Sequence, residues 1–251
     1  MKIAKFDYSG NSHWGFIEGE ELYALDGDLY GVNGMGDRIC SLGEASLLAP
    51  ISATNKVPAI AANYGEKDDR DGPGIFMKQP GTYQAHGGPI VYPRSCTSII
   101  HEAELGIVIS RTGRHIEESE AFDYVLGYTC INDVSARNMV ASDIGKGLSM
   151  RWKHFDTFCP IGPYIETDVG DPNNLGIECF VNGKLSASGR TSEMIFPIAM
   201  LISWVSEVMM LRPGDIIPTG CPATGEIKVG DDVEVRIENV GSLVNPVVPD
   251  Y

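Results

Sequence analysis

One stretch near the middle of the chain restricts the fold more than any other. Residues 100–109 are apolar and rich in β-branched side chains, which is typical of a buried β-strand, yet they include Glu102 and Glu104. Because successive side chains of a strand point to opposite faces, both carboxylates project from one face, and Ala103 and Leu105 project from the other. The sequence therefore predicts a strand with two acidic groups side by side.

Two neighbouring carboxylates against an apolar sheet are costly unless a cation joins them. A hard divalent cation with oxygen ligands would offset that cost. The same E-x-E pattern also fits a half-buried strand whose acidic face is in solvent, and taken alone it more often has that meaning. The segments that follow along the chain reverse this preference.

Five further motifs follow the E-x-E-L strand in order. They are G-Y-T-x-x-N-D-V-S-A-R at 127–137, K-x-F-D-T-F-x-P-x-G-P at 153–163, V-N-G at 181–183, T-S-x-M-I-F at 191–196 and L-x-P-G-D-x-I-x-T-G-x-P at 211–222. In these motifs and their order, the chain from about residue 56 onward resembles the fumarylacetoacetate hydrolase (FAH) family. The resemblance implies a mixed α/β, mostly β fold, an FAH-type β-roll catalytic domain, and a homodimer.

The resemblance also implies a metal site. Glu102, Glu104 and Asp133 match the positions that hold the metal in the family. Three carboxylates suit Mg²⁺ or Mn²⁺ better than zinc, which prefers nitrogen and sulfur ligands. Lys153 matches a family lysine beside the metal that supports a developing oxyanion, and we count Lys153 and Glu102 as the candidate catalytic residues.

Three residues are candidates for substrate binding. Arg137 matches a substrate-side arginine, although an arginine in S-A-R equally suits a structural salt bridge. Thr219 lies in a loop that, by resemblance, binds a substrate carboxylate or carbonyl group. Tyr64 is expected at the mouth of the pocket.

The departures from the family pattern cluster on the substrate side. The family has a catalytic lid histidine three residues after the tyrosine, and here that position is Lys67. Its acidic neighbours are expected to form a solvated charge run: Glu66, Asp68 and Asp69. Three more positions differ from many relatives: Val140 replaces a polar residue, Ala187 a glutamine, and Cys221 the second threonine of T-G-T-P.

The motifs imply a metal-dependent enzyme that acts on a β-dicarbonyl compound or a 2-oxo acid through an enolate, as a C–C hydrolase, decarboxylase or tautomerase. Without the lid histidine, we expect hydrolysis to be weak, since a positioned general base contributes roughly 10²–10⁴-fold. Two alternatives stay open. One is a non-hydrolytic isomerase or cyclase acting on a larger apolar metabolite, and the other is a catalytically silent metal-binding relative.

Composition restricts the partners. The net charge of −15 argues against nucleic acid and anionic membranes as partners but does not identify a substrate. The resemblance to the family implies a small-molecule substrate. No apolar run has the length of a membrane span, and residues 1–7 do not resemble a signal peptide. Six scattered cysteines without C-x-x-C spacing are typical of reduced thiols in a cytoplasmic protein.

Residues 1–53 are predicted to form a small β-rich N-terminal domain, and residues 54–251 the catalytic domain. A hairpin is predicted about Asn182-Gly183. An amphipathic helix is predicted from Pro197, with Met209 as the last residue of its apolar face and Arg212-Pro213-Gly214 as its end. Three more local structures are predicted: a helix at 117–126, a loop at 31–38, and a loop with a helical turn at 138–151.

Overall fold

The computed structural model describes residues 1–31, 34–67, 69–146 and 150–250. The strands of this part of the chain are β1 Lys2–Tyr8, β2 Asn11–Glu18, β3 Glu21–Asp26, β4 Gly34–Ser41, β5 Ser46–Leu48, β6 Val57–Ala61, β7 Gly74–Lys78, β8 Tyr83–Gln84, β9 Ile90–Tyr92, β10 Ile99–Ile109, β11 Val125–Asn132, β12 Cys159–Glu166, β13 Gly176–Val181, β14 Lys184–Arg190, β15 Ile216–Pro218, β16 Thr224–Ile227, β17 Asp232–Ile237 and β18 Gly241–Pro249. The α-helices are α1 Arg137–Gly145 and α2 Ile198–Val208, and the 3₁₀ helices are Leu42–Glu44, Pro80–Thr82, Glu118–Tyr124, Arg151–Lys153 and Thr191–Glu193.

The strands form two main sheets. The larger has the order β15-β10-β11-β12-β1-β2-β3-β4, with β16 on β10, β5 on β1 and β8 on β12. The smaller has the order β14-β13-β17-β18-β9, and β6 pairs separately with β7. The N-terminal strands thus continue the larger sheet, since β1 pairs with β12. The mostly β fold class with an N-terminal extension is confirmed.

Strand β10 lies at the centre of this arrangement. Its predicted apolar face, which includes Leu105 and Ile107, packs into the main core. On the opposite face, Val108 belongs to a second core cluster, so the strand is buried on both sides. Strands with two covered faces are expected to be apolar almost throughout, which makes the two glutamates on this strand unusual.

Hydrogen bonds hold the residues that follow β11 alongside β10. The Glu102 N–H donates to Asn132 Oδ1 at 3.0 Å, and the Asp133 N–H donates to the Glu102 carbonyl oxygen at 2.9 Å. Ile100 and Ser135 then exchange N–H···O bonds of 2.9 and 3.1 Å. The main chain therefore fixes Asp133 next to Glu102.

The hairpin and the amphipathic helix are confirmed. Asn182 and Gly183 have φ values of +52° and +72°, the left-handed pair that a tight two-residue hairpin turn requires. Helix α2 begins after Pro197 and ends at Val208, well before the predicted end at Arg212-Pro213-Gly214, because the backbone is already extended at Met209. It buries its predicted stripe: Ile198, Leu201, Ile202 and Val205.

Three local predictions need correction. The 117–126 segment is a 3₁₀ helix over Glu118–Tyr124, because only Ala121 of its residues is buried and packing adds little to an acidic run. The loop predicted at 31–38 is wrong from Gly34 onward, where β4 pairs with β3; residues 32 and 33 lie outside the described part. The 138–151 segment contains α1 rather than a single helical turn, with 147–149 likewise not described.

Two expectations from composition bear on the fold. No helix among the described residues is long and apolar enough to cross a membrane. All six cysteines lie in the described ranges, and none is bonded to another.

Candidate functional site

A cavity of about 680 Å³ opens beside β10. Its inner part is lined by Glu102, Glu104, Asp133 and Lys153; with Lys78 behind Asp133, we call this group the acidic end. Four lining residues outside this group, Tyr64, Arg137, Val140 and Ile144, are called the rim. The cavity thus brings the predicted metal ligands and the predicted lysine together with two of the three predicted substrate residues.

Both oxygens of the Glu102 carboxylate accept hydrogen bonds. Oε1 accepts from Ser135 Oγ at 2.5 Å, and Oε2 accepts from Lys153 Nζ at 2.8 Å. The Cys221 thiol also lies 3.6 Å from Oε2. These contacts hold the carboxylate against the inner end of the cavity.

Glu104 is 1% exposed, and its Oε2 accepts the Gly220 N–H at 2.9 Å. Gly220 has φ of +90°, and an added Cβ would lie 3.1 Å from Asn63 Cβ, so this position favours glycine. Burial, and next the charge of Asp133, raise the pKa of Glu104 well above its ordinary value. Without a cation, the ionised form of this carboxyl is therefore costly.

Asp133 lies between two lysines. Lys153 Nζ donates to Oδ2 at 2.5 Å, and Lys78 Nζ forms an ion pair with Oδ1 at 2.8 Å, outside good hydrogen-bonding geometry. Burial alone would raise the pKa of Asp133, but the charges of Lys153 and Lys78 outweigh it and lower the pKa. Asp133 therefore stays ionised.

Lys78 was not identified from the sequence. It lies at the end of β7 and is 1% exposed, and it also donates to the Phe158 carbonyl oxygen at 2.8 Å. A lysine at the end of a short strand usually reaches solvent. The available signal was the short apolar run Ile75-Phe76-Met77 before it, which indicates a strand but says nothing about the partner of the lysine.

Lys153 is 6% exposed and contacts Glu102 as well as Asp133. Burial would lower its pKa, but the charges of Asp133, Glu102 and Glu104 outweigh that effect and raise the pKa. The ammonium group also lies 5.2 Å from the centre of the Phe76 ring. Lys153 thus supplies a fixed positive charge to the cavity.

The charges and donors of the acidic end fit a divalent cation. Three carboxylates face two ammonium groups, so ionisation of all three would leave one negative charge uncompensated, and the raised pKa of Glu104 reflects that cost. Ligand atoms of Glu102, Glu104 and Cys221 converge within 4.8 Å of one another. Asp133, the third predicted ligand, is instead turned toward its two lysines.

At the rim, Arg137 is exposed at the start of α1 and has no ion-pair or hydrogen-bond partner among the described residues. The Tyr64 hydroxyl is buried and also has no hydrogen-bond partner among the described residues. Burial, and next the charge of Glu104, raise the pKa of Tyr64. Thr219 is fully buried and is not among the residues that line the cavity. Its N–H donates to the Leu105 carbonyl oxygen at 3.0 Å.

The departures from the family pattern differ in their relation to the cavity. Val140 and Cys221 line it, whereas Ala187 and Lys67 do not. Lys67 is exposed, as are Glu66 and Asp69, and Asp68 lies outside the described residues. None of the five histidines of the chain, all of which lie in the described ranges, lines the cavity; His101 is a fully buried residue of β10, with Nε2 2.8 Å from Ser186 Oγ.

Fold and cavity together define a β-roll protein with a buried acidic pocket suited to a divalent cation. The chain belongs to the fumarylacetoacetate hydrolase family. Residues 52–248 match the family described as fumarylacetoacetate (FAA) hydrolase, C-terminal, and residues 1–50 match the Rv2993c-like N-terminal family.

Relatives in this family have several activities. Oxaloacetate tautomerase fahd2 of Xenopus laevis is 38% identical over 84% of this chain and 70% of its own. The structure of 5-carboxymethyl-2-hydroxymuconate delta-isomerase from Mycobacterium smegmatis is 36% identical, with a TM-score of 0.92 over all of both chains. A third relative is the structure of maleylpyruvate hydrolase from Sphingobium sp. SYK-6 in complex with manganese(II) and pyruvate. It is 27% identical in sequence to this chain, with a TM-score of 0.84 over all of both chains.

Proposed function

We propose that the protein is a divalent-metal-dependent enzyme that tautomerises or decarboxylates a small β-dicarbonyl compound or 2-oxo acid. The observation that carries the proposal is a cavity with a complete acidic end and no histidine in its lining. By resemblance to the family, the cation is Mg²⁺ or Mn²⁺, and a relative of known structure holds manganese(II) together with pyruvate. An oxaloacetate tautomerase among the relatives supports the same class of reaction.

Each group at the cavity has a role in this proposal. Arg137, exposed and unpaired among the described residues, binds a substrate carboxylate at the rim. Lys153 brings its ammonium group beside the substrate oxygen on which negative charge develops. A bound divalent cation would supply Lewis-acid stabilisation of that same charge. Glu102 and the Tyr64 hydroxyl, which both line the cavity, can hold or pass a proton.

Hydrolysis of a C–C bond has a further requirement, a water molecule made nucleophilic by a general base. A positioned base contributes roughly 10²–10⁴-fold, and the lid histidine provides it in the hydrolases that the sequence resembles. Here Lys67 occupies that position and lies outside the cavity lining. Tautomerisation and decarboxylation require no water attack, which favours them in this cavity.

Three reactions assayed side by side at one fixed Mg²⁺ concentration test the proposal: enol–keto conversion of oxaloacetate, decarboxylation of oxaloacetate, and hydrolysis of an acylpyruvate. We expect kcat/KM for one of the first two to exceed that for hydrolysis by about 10²-fold or more, the contribution of the missing base. Acylpyruvate hydrolysis as fast as the other reactions would contradict the proposal.

The cavity wall favours one variant of this function, an isomerase or cyclase for a larger apolar metabolite. The lining outside the acidic end includes Ile60, Val140, Ile144, Met150 and Trp152. A volume of about 680 Å³ also exceeds what a four-carbon diacid fills. A 2-oxo acid with a long apolar tail should then show a lower KM than oxaloacetate, and a higher KM would exclude this variant.

A further inference from the structure

A thiol lies at the acidic end, where the family motif has a threonine. Cys221 lines the cavity, and its Sγ is 3.6 Å from Glu102 Oε2. Together with one oxygen each of Glu102 and Glu104, Sγ belongs to a group of ligand atoms that all lie within 4.8 Å of one another. The thiol is therefore part of the same cluster as two of the predicted metal ligands.

Hydrogen bonds hold the two residues that precede Cys221, Thr219 and Gly220. The Thr219 N–H donates to the Leu105 carbonyl oxygen at 3.0 Å, and the Gly220 N–H donates to Glu104 Oε2 at 2.9 Å. Asn63 Nδ2 donates to the Thr219 carbonyl oxygen at 2.9 Å. These bonds tie the position of the thiol to β10 itself, the strand that carries both glutamates.

The spacing of the ligand atoms fits direct coordination. A cation about 2.3 Å from sulfur and about 2.0–2.2 Å from a carboxylate oxygen holds the two atoms about 3.6 Å apart at a tetrahedral angle. The Cys221 thiol donates a hydrogen bond to Glu102 Oε2, which also accepts from Lys153, and the Sγ–Oε2 distance of 3.6 Å equals that spacing. The two oxygens of Asp133, by contrast, contact Lys153 and Lys78.

We propose that Cys221 is a metal ligand and that Glu102, Glu104 and Cys221 bind a thiophilic divalent cation, such as Zn²⁺ or Co²⁺, more tightly than Mg²⁺. A soft thiolate ligand shifts a carboxylate site toward such cations. Sγ forms the metal–sulfur bond as its proton leaves to the buffer. This inference rests on the metal site of the proposed function and specifies its selectivity.

Substitution Cys221→Ser tests the inference, because it keeps the size of the side chain and a hydroxyl near Glu102 while it removes the sulfur. Wild-type protein and variant are titrated with Co²⁺ by calorimetry and by near-ultraviolet absorption, where a sulfur-to-cobalt charge-transfer band reports the bond. Mn²⁺ and Mg²⁺ titrations run in parallel. Cys40→Ala is the matched control, since Cys40 is buried in the N-terminal cluster with Ala4, Phe6 and Leu22.

We expect the charge-transfer band in the wild type and in Cys40→Ala, and its loss in Cys221→Ser. The Co²⁺ affinity should fall about tenfold or more in Cys221→Ser, since even outer partners of metal ligands contribute roughly 10–100-fold, while Mn²⁺ affinity stays within a few-fold. A band that persists in Cys221→Ser, or wild-type Co²⁺ binding without a band, overturns the inference and leaves the proposed function standing. Failure of all three cations to bind the wild type overturns both.

Discussion

At the acidic end of the cavity, each charged side chain is bonded to a neighbour and all but the half-buried Glu102 are buried, whereas the rim contains polar groups without partners among the described residues. Glu102, Asp133 and Lys153 form one connected set of ion pairs. Arg137 at the rim is exposed, and the Tyr64 hydroxyl has no hydrogen-bond partner among the described residues. The acidic end is therefore ordered without a ligand, whereas the rim has polar groups that can still form hydrogen bonds or an ion pair with one.

This difference separates two kinds of constraint. A buried ion-pair network tolerates few changes, because removal of one partner leaves a desolvated charge behind. A rim of exposed or apolar residues can change with little cost to folding, so it can adapt to another substrate. The departures Val140 and Lys67 fall outside the acidic end, and Cys221 is the exception among them.

The largest effect is expected at Glu104. Substitution Glu104→Gln removes the charge of a carboxylate that is 1% exposed, and it should abolish Mn²⁺ binding measured by calorimetry. Glu226→Gln, an exposed substitution on β16, should bind Mn²⁺ like the wild type. Equal Mn²⁺ binding by Glu104→Gln and wild type would show that the acidic end is not a metal site.

Lys78→Met should lower stability strongly, because Asp133 loses one of its two cationic partners in a dry place. We expect a loss of roughly 3–5 kcal/mol in the free energy of unfolding, measured by denaturant titration in the presence of a chelator. Lys67→Met, at an exposed lysine, is the matched control and should leave stability unchanged. Equal stability of both variants would mean that the acidic end is not held by its ion pairs.

Lys153→Ala should reduce kcat by about 10²–10³-fold, comparable to the removal of one donor to a developing oxyanion. The KM should change little, because the contact strengthens mainly in the transition state. Steady-state kinetics on the most active 2-oxo acid measure this, with circular dichroism as the check of fold. A folded variant with full kcat would assign Lys153 to structure alone.

The smallest effect is expected at the rim. Arg137→Gln should raise KM for an anionic substrate by about 10- to 100-fold, since a hydrogen bond to a charged group contributes roughly 1.5–3 kcal/mol, and leave kcat nearly unchanged. Arg111→Gln, at an exposed arginine outside the cavity lining, is the control. If stability fell while KM stayed constant, Arg137 would instead serve a structural salt bridge.

Local patterns predicted the elements whose sequences agree with their surroundings. The alternation along β10, the Asn182-Gly183 turn and the apolar stripe of α2 each follow from spacing along the chain. Strand β18 was not predicted, because Pro246 and Pro249 interrupt its pattern. The strand is nevertheless held by β17 on one side and β9 on the other.

The parts of the candidate site that sequence reasoning missed depend on contacts between distant segments. Lys78 is 1% exposed only because β7 ends beside Asp133, which is 55 positions further along the chain. Cys221 was identified as a departure from the motif, but not as a neighbour of Glu102. Thr219 lies in the predicted loop, yet its side chain is buried away from the cavity lining, because its N–H bonds to β10.

In the proposed mechanism, the acidic end holds a cation that serves the reaction beside Lys153, and the rim binds the substrate. The most direct measurement is the rate of turnover of the most active 2-oxo acid as a function of Mn²⁺ concentration, starting from chelator-treated protein. The account predicts no rate without Mn²⁺, half-maximal rate at the Kd that calorimetry gives for Mn²⁺, and no activation of Glu104→Gln. A rate that is the same with chelator present, or in Glu104→Gln, would contradict it.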